Sequence, residues 1–335
     1  MKTILITSLN PKDGKTSCAL GLAESLNNKG YKSTCIELFN SNKESIQTSF
    51  IKELHPNEIG SFPYTLDSSN SFLSNKNEII KDINKFSNST DYLIIDAPSL
   101  NDISKEVADF LLEISETSIV LIIKLETTDS LTTIEKKLNI ASTKMGNNIS
   151  GVIFNSVPKY AERTLESNIT KLTEYSTIPV LGFIPQNRTM KGITSSNILD
   201  ITEGVLTAEH PIKYYESKII ERIMIGGMVL GSGKDYFDRF NNKAVLVRGN
   251  RPDIQMAAIN NNTSCLIFTG EHTITDYIKY HASEEEIPII SVNASTQETL
   301  NLISSQFIEL DVLHKSKITH LSKLIDQQVT LSNVL

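Results

Sequence analysis

The sequence predicts an α/β fold in which a mostly parallel sheet carries helices on both faces and a smaller α/β domain follows. Short apolar runs that suit buried strands recur at Ile4-Ile6, Thr34-Glu37, Tyr92-Ile95, Ile119-Ile123, Gly151-Phe154 and Val180-Ile184. Stretches of helical period separate most of them, and that alternation builds parallel sheets covered on both sides. The first run empties into Leu9-Asn10-Pro11-Lys12-Asp13-Gly14-Lys15-Thr16, a lysine-bearing loop that opens a helix.

That helix is marked by Ala19, Leu20, Leu22, Ala23 and Leu26 at helical spacing, and Gly30 stops it. Strand, loop and helix in this order form the setting of a phosphate-binding loop. Its backbone N–H groups wrap a phosphate chain, Lys15 reaches the β/γ oxygens, and Thr16 offers a hydroxyl to Mg²⁺. Asn10, Pro11, Lys12, Asp13, Gly14, Lys15, Thr16 and Ser17 are therefore the candidate nucleotide-binding set. The motif ordinarily opens with glycine, and here that position is Leu9. A chance Gly-Lys-Thr at a helix start is the competing explanation, and the flanking strand and helix count against it.

The chain of 335 residues is long enough for two domains or one large one. With 32 basic against 39 acidic residues and no basic stripe, nucleic acid is excluded as an expected partner. No leader sequence and no apolar run of membrane-spanning length are apparent, so the expected location is cytoplasmic, without a membrane partner. Cys18, Cys35 and Cys265 lie in apolar surroundings without metal-ligand spacing and read as core thiols. The six histidines form no zinc-like pair. Serine and asparagine crowd the stretch from Asn40 to Asn77, which reads as a long polar connection bordering a ligand site.

Ligands of parallel sheets sit at the carboxyl ends of the strands, so polar residues there carry the information. Asp96 ends the strand in Tyr92-Leu93-Ile94-Ile95-Asp96, where a carboxylate holds Mg²⁺ through water beside a triphosphate. The alternative for Asp96 is a solvated cap on the next turn, helped by Pro98. Glu37 ends Thr34-Cys35-Ile36-Glu37 and has two readings, a metal- or water-orienting carboxylate or a surface residue. Asn155 ends Gly151-Val152-Ile153-Phe154-Asn155, and its amide suits a purine edge, although a lone Asn after a strand is also a common turn residue.

Three segments together resemble the dethiobiotin synthetase-like P-loop proteins: Ile6 to Thr16, Gly151 to Asn155, and Ile178-Pro179-Val180-Leu181-Gly182-Phe183-Ile184-Pro185. The resemblance covers roughly residues 1 to 205 and implies a P-loop NTPase-type fold. It further implies ATP with Mg²⁺, Asn155 near the adenine, and the loop around Pro185 closing over the base. Relatives of this domain include cobyrinic acid diamide synthases and the MinD/ParA ATPases, and it forms the N-terminal region of many bacterial phosphate acetyltransferases. Dethiobiotin synthetases deliver a lysine from the second strand and end the third in Glu-Gly-Ala-Gly. Here those places hold Glu37 and Asp96-Ala97-Pro98, so an anionic carbamate would face a carboxylate. The extra lysine of MinD/ParA proteins would fall at Asn10 and is absent. A cobyrinic acid synthase would need a glutaminase domain, for which the remaining length offers no room.

The chain passes between Ile198 and Tyr215 through Glu203-Gly204 and Glu209-His210-Pro211, read as a hinge. The expected domains are therefore 1–207 and 208–335. Ile223-Met224-Ile225-Gly226-Gly227-Met228 lacks a following Lys-Ser/Thr and reads as a tight turn or close helix packing. Strand-like Ala244-Val247 and Cys265-Phe268, a helix through Ile274-Tyr280 and a strand at Pro288-Val292 form a second alternation, with Gln297-Ser305 and Ile318-Ile325 expected to cover its sheet. Gly249-Asn250-Arg251-Pro252-Asp253-Ile254, with Met224 to Met228 before it and Phe268-Thr269-Gly270 after it, resembles the DRTGG domain. Gly249, Asn250 and Arg251 suit an anion or regulatory ligand, while pairing of Arg251 with Asp253 behind Pro252 is the structural alternative.

In the phosphate acetyltransferases this pair of domains precedes a catalytic domain, whereas the sequence here runs to Leu335. The resemblance thus implies their regulatory front end without the acetyl-transfer machinery. The expected protein is a nucleotide- or metabolite-sensing regulator with weak or no ATPase activity, using Lys15 and Asp96 catalytically and Thr16, Asp96 and Glu37 toward Mg²⁺. It would act by homo-oligomerisation or through a partner enzyme of acetyl-phosphate and acetyl-CoA metabolism. The alternative is an ATP-dependent ligase activating a carboxylate or carbamate, and a MinD-like dimer switch is a third reading.

Overall fold

The opening apolar run forms β1 (Lys2–Ser8), buried at every residue after Lys2 because parallel neighbours flank it on both sides. In the computed structural model, residues 1–40, 46–54, 62–65, 71–114, 118–173, 177–227, 233–259, 262–307, 313–331 and 334 are described. They divide into two units, Met1–Gln186 with Ile318–Leu335, and Asn187–Lys317.

In the first unit β1 leads into α1 (Lys15–Asn28), β2 (Ser33–Glu37), α2 (Ile46–Leu54) and α3 (Ser71–Lys85). Then follow β3 (Tyr92–Asp96), α4 (Lys105–Ile114), β4 (Ser118–Lys124), α5 (Leu131–Met145), β5 (Ile149–Val157), α6 (Glu162–Thr173) and β6 (Val180–Pro185). The strands lie in the order β2-β3-β1-β4-β5-β6, all parallel. Every strand anticipated from the apolar runs is present. After β1 the chain crosses toward β2, whereas after β3 it crosses the opposite way toward β4. With right-handed crossovers these connections leave on opposite faces and open a crevice at the carboxyl ends of β1 and β3. The phosphate-binding loop and Asp96 both lie there.

The second unit holds α7 (Arg188–Lys191), α8 (Ser195–Thr202), β7 (Val205–Thr207), β8 (Arg222–Gly226), α9 (Gly233–Phe237), β9 (Lys243–Arg248) and α10 (Pro252–Ala258). It continues through β10 (Thr263–Thr269), α11 (Asp276–Glu284), β11 (Ile289–Val292) and α12 (Thr296–Phe307). Its sheet runs β7-β11-β10-β9-β8, with only the edge strand β7 antiparallel. Alternation along β9 splits the core: Val245 and Val247 join Phe237, Ile254 and Ile278 on one face, while Ala244 and Leu246 join Ile198, Ile220 and Ile303 on the other.

The structure departs from the sequence expectations in four places. The segment read as a hinge contains the end of α8 and all of β7, which pairs with β11, and the second unit begins at Asn187. The Asn40 to Asn77 stretch is not simply a connection, because α2 and the start of α3 lie within it, and its remaining residues fall largely outside the described ones. Ile223 to Gly226 belong to strand β8 rather than to a turn, while the other reading, close helix packing, is met at Gly226, where a methyl would lie 2.7 Å from Ile254 in α10; Met228 lies outside the described residues.

The fourth departure concerns the last helix, α13 (Lys315–Gln328), which belongs to the first unit from Ile318 onward. It packs on α1 at Gly21, where a methyl would come within 3.0 Å of Leu321. Asp326 accepts from Ser25 at 2.6 Å and pairs with Lys29 at 2.6 Å. Beyond the helix, Thr330 N–H donates to the Leu181 carbonyl and Ser118 donates to that of Val334. An amphipathic stripe states that a helix will be buried, but not against which sheet. Among the described residues no helix is long and apolar enough to cross a membrane.

Leu321, 2% exposed, is the test of this docking. Leu321→Ala is expected to destabilise the first unit by roughly 2–5 kcal/mol, read as earlier urea unfolding with faster hydrogen exchange in β1 and β4. Unchanged exchange there would show that the last helix contributes nothing to this unit.

Candidate functional site

The loop after β1 is shaped by left-handed backbone at two residues, Lys12 with φ 64° and Gly14 with φ 90°. Glycine adopts this conformation freely, and at Gly14 a methyl would also collide with the Asn155 amide. Lys12 adopts it at a cost of the kind that gathers at ligand-binding loops. With the turn made at these two positions, Leu9 needs no glycine-like freedom and is buried instead at 3% exposure.

The loop after β3 braces the loop from one side. Thr7 donates to the Pro98 carbonyl at 2.7 Å, Ser8 and Ser99 are hydrogen-bonded at 3.1 Å, and Asn101 N–H donates to the Leu9 carbonyl. Asn10 is exposed; its N–H donates to Asp13 Oδ2 and its side-chain oxygen accepts from Asn101. Burial pushes the Asp13 carboxyl up from its ordinary value, against the Asn10 hydrogen bond and the nearby Lys137 and Lys124. Pro11 is exposed and Ser17 is half-buried in the first turn of α1. Asn155 forms a strut from β5: its Nδ2 donates to the Asp13 carbonyl at 2.8 Å and its Oδ1 accepts from Ser156 N–H. Pro185 ends β6 in register with Val157 of β5.

Asp96, 1% exposed, is the centre of the site. Its Oδ1 accepts from Lys15 Nζ at 3.1 Å, and its Oδ2 from Thr16 Oγ1 at 2.6 Å and Gln47 Nε2 at 3.1 Å. Gln47 Nε2 also donates to Thr16 Oγ1 at 2.9 Å. Asp96 is thus bound into the loop and is not a solvated cap. Glu37 pairs in register with Asp96 on the adjacent strand and is 5% exposed, which removes its reading as a surface residue. Thr48 donates to its Oε2 at 2.7 Å and Asn40 to its Oε1 at 2.9 Å. Nothing local in the sequence marked Gln47 or Thr48, because α2 reaches these carboxylates only through the tertiary fold, whereas Asn40 reaches Glu37 from three residues away.

The residues present fit a phosphate chain with a hard cation. Gly14 caps α1 without a side-chain hydrogen bond, which leaves the first-turn N–H groups to an anion. Thr16 Oγ1 and the Asp96 carboxylate are oxygen donors of the kind Mg²⁺ takes. Among the described residues no group of three His, Cys, Asp or Glu side chains could share a metal, so the remaining ligands would be phosphate oxygens and water, the usual Mg²⁺ arrangement. Cysteine chemistry is absent from the site: burial pushes the Cys18 thiol up to about 12, helped by Asp96, and Cys35 well above its ordinary value. All three cysteines are buried and free, the core thiols anticipated.

At the carboxyl end of the second sheet, Arg251 Nε donates to Asp253 Oδ1 at 2.9 Å behind Pro252, the pairing anticipated as the structural alternative. Gln255, 2% exposed, holds the turn by donating to the carbonyls of Arg248 and Gly249.

Burial raises the Glu37 carboxyl above its ordinary value of 4.5, against the Thr48 hydrogen bond. The folded chain therefore binds this proton more tightly than the unfolded one, and the Glu37 contribution to stability falls as pH rises through the window that opens at 4.5. Glu37→Gln removes this dependence. The melting temperature of the variant relative to wild type is expected to increase between that pH and neutrality, measured by calorimetry without nucleotide or metal, and a constant difference would show that Glu37 is ionised without penalty.

Residues 2–194 match the AAA domain family and residues 197–306 the DRTGG domain. Among solved structures, the MinC:MinD cell division protein complex of Aquifex aeolicus is 17% identical over 57% of this chain and 83% of that one, with a TM-score of 0.40. Cobyrinic acid a,c-diamide synthase from Mycobacterium smegmatis, with bound ADP and magnesium, is 13% identical over 56% and 87%, with a TM-score of 0.36. The regulatory region of Clostridium perfringens pyrophosphatase, its CBS and DRTGG domains complexed with diadenosine tetraphosphate, is 20% identical over 41% and 55%, with a TM-score of 0.30. With more than half of its length matched and a phosphate-binding loop set at the sheet's switch point, the chain belongs to the AAA domain family of dethiobiotin synthetase-like P-loop type and carries a DRTGG domain.

Proposed function

We propose that this protein is a nucleotide-sensing regulator that binds ATP with Mg²⁺ and hydrolyses it weakly or not at all. The observation that carries the reading is the meeting of Lys15, Thr16 and Asp96 beside the left-handed Gly14 at the crevice between β1 and β3. Lys15 and the loop from Asn10 to Ser17 hold the phosphates, and Thr16 and Asp96 hold the cation, with Glu37 adjacent. Bound Mg²⁺ neutralises phosphate charge and fixes the β and γ oxygens. The Asn155 amide keeps a second N–H and a second lone pair beyond its present bonds, enough capacity for a purine edge, with Pro185 at the neighbouring strand end.

The regulatory part of the reading is supported by domain order. A P-loop domain followed by a DRTGG domain is the arrangement that resembles the front end of phosphate acetyltransferases, which points to self-association or a partner enzyme of acetyl-phosphate and acetyl-CoA metabolism. Glu37 counts against the ligase alternative: its buried carboxylate stands where a carbamate-forming enzyme supplies an ammonium group.

Isothermal calorimetry with Mg²⁺ and ATP on the full chain tests the site. Lys15→Ala removes a charge-assisted contact of about 1.5–3 kcal/mol, so affinity is expected to fall roughly 10- to 100-fold. Equal affinity of wild type and variant would overturn the assignment.

A further inference from the structure

Every side-chain oxygen assigned to the cation is already engaged by a hydrogen-bond donor. Thr16 Oγ1 and Asp96 Oδ2 both accept from the same nitrogen, Gln47 Nε2, at 2.9 and 3.1 Å. Asp96 Oδ2 also accepts from Thr16, and Oδ1 from Lys15. An amide N–H carries partial positive charge, so it occupies the lone pairs a cation would use and repels the cation itself. Gln47 comes from α2, outside the loop, and its neighbour Thr48 ties the same helix to Glu37 at 2.7 Å. Two successive residues of α2 thus hold the two carboxylates that face each other across β2 and β3.

We infer that Gln47 is a displaceable plug on the cation site: the metal-nucleotide complex must take Thr16 and Asp96 from its amide, and α2 thereby registers whether that complex is bound. This rests on the reading of the loop as an ATP-Mg²⁺ site and adds the residue that the ligand displaces. The plug selects against metal-free nucleotide only weakly, because phosphates held by Lys15 and the loop amides need not touch Gln47. It acts on the metal-bound form, whose cation competes for the same lone pairs. The Thr48 contact lies on the other carboxylate and is untouched by that competition, so it keeps α2 tethered while Gln47 is released.

The test is calorimetric titration of the full chain with ATP in EDTA and with ATP in Mg²⁺, for wild type, Gln47→Ala and Gln47→Met. Methionine keeps the length of the side chain without its donors and guards against a packing artefact. Both variants are expected to bind Mg²⁺-ATP roughly 3- to 10-fold more tightly than wild type, the worth of one or two hydrogen bonds no longer broken, with affinity in EDTA unchanged. Mg²⁺-ATP affinity that is equal or weaker in the variants overturns the plug and leaves the site intact. A wild type that binds ATP in neither buffer overturns the site itself.

Discussion

The Asp96 carboxylate is the constraint around which the first unit is arranged. A carboxylate at 1% exposure is tolerated only when its charge is compensated, and an unpaired one would cost several kcal/mol. Compensation here comes from Lys15 and Thr16 at the start of α1 and from Gln47 in α2. One side chain therefore fixes where the first helix begins relative to β3 and draws in a helix from the following crossover. The same bonds place an ammonium and a hydroxyl beside the first turn of α1, which no side chain caps, in the crevice between β1 and β3.

The loop itself is held by short-range geometry and long-range struts acting together. Positive φ at Lys12 and Gly14 turns the chain, and the bonds from Thr7 and Ser8 to the segment after β3, with those that Asn101 of that segment donates to Leu9 and Asn10, keep the turn in place. Asn155 completes the frame from the far side, occupying the space that a side chain at Gly14 would need. Preorganisation of this kind means that little loop entropy remains to be lost when an anion arrives. The return of α13 to α1 has a comparable effect one layer out, since it packs directly on the helix that the loop caps.

Much of this was legible in advance because it is local. Lys15, Thr16 and Asp96, which the structure brings together, were singled out by their places after apolar strands, and the parallel sheet was read from the alternation of strand and helix. Asp253 could be matched with Arg251 for the same reason, since they are two residues apart. Gln47 and Thr48 were invisible. They lie 31 residues from Thr16 and 11 from Glu37, in a segment whose serine and asparagine content suggested only a loop. Strand β7 was missed because it is only three residues long, and β8 because the glycines that end its Ile223-Met224-Ile225 run read as a turn or a packing site. The last helix was assigned to the wrong sheet because sequence proximity was the only guide to its partner.

The sequence by itself determined the local features: a lysine-bearing loop of P-loop type, a carboxylate at the end of a buried strand, and a second α/β unit. Periodicity and glycine placement act over a few residues, and these features are all set at that range. The tertiary structure decided how the groups are paired, which helix stands over the carboxylates, and where the chain divides. Those outcomes depend on which surfaces meet across tens or hundreds of residues, as Asp326 meets Ser25 at a separation of 301, and no local pattern encodes such a meeting.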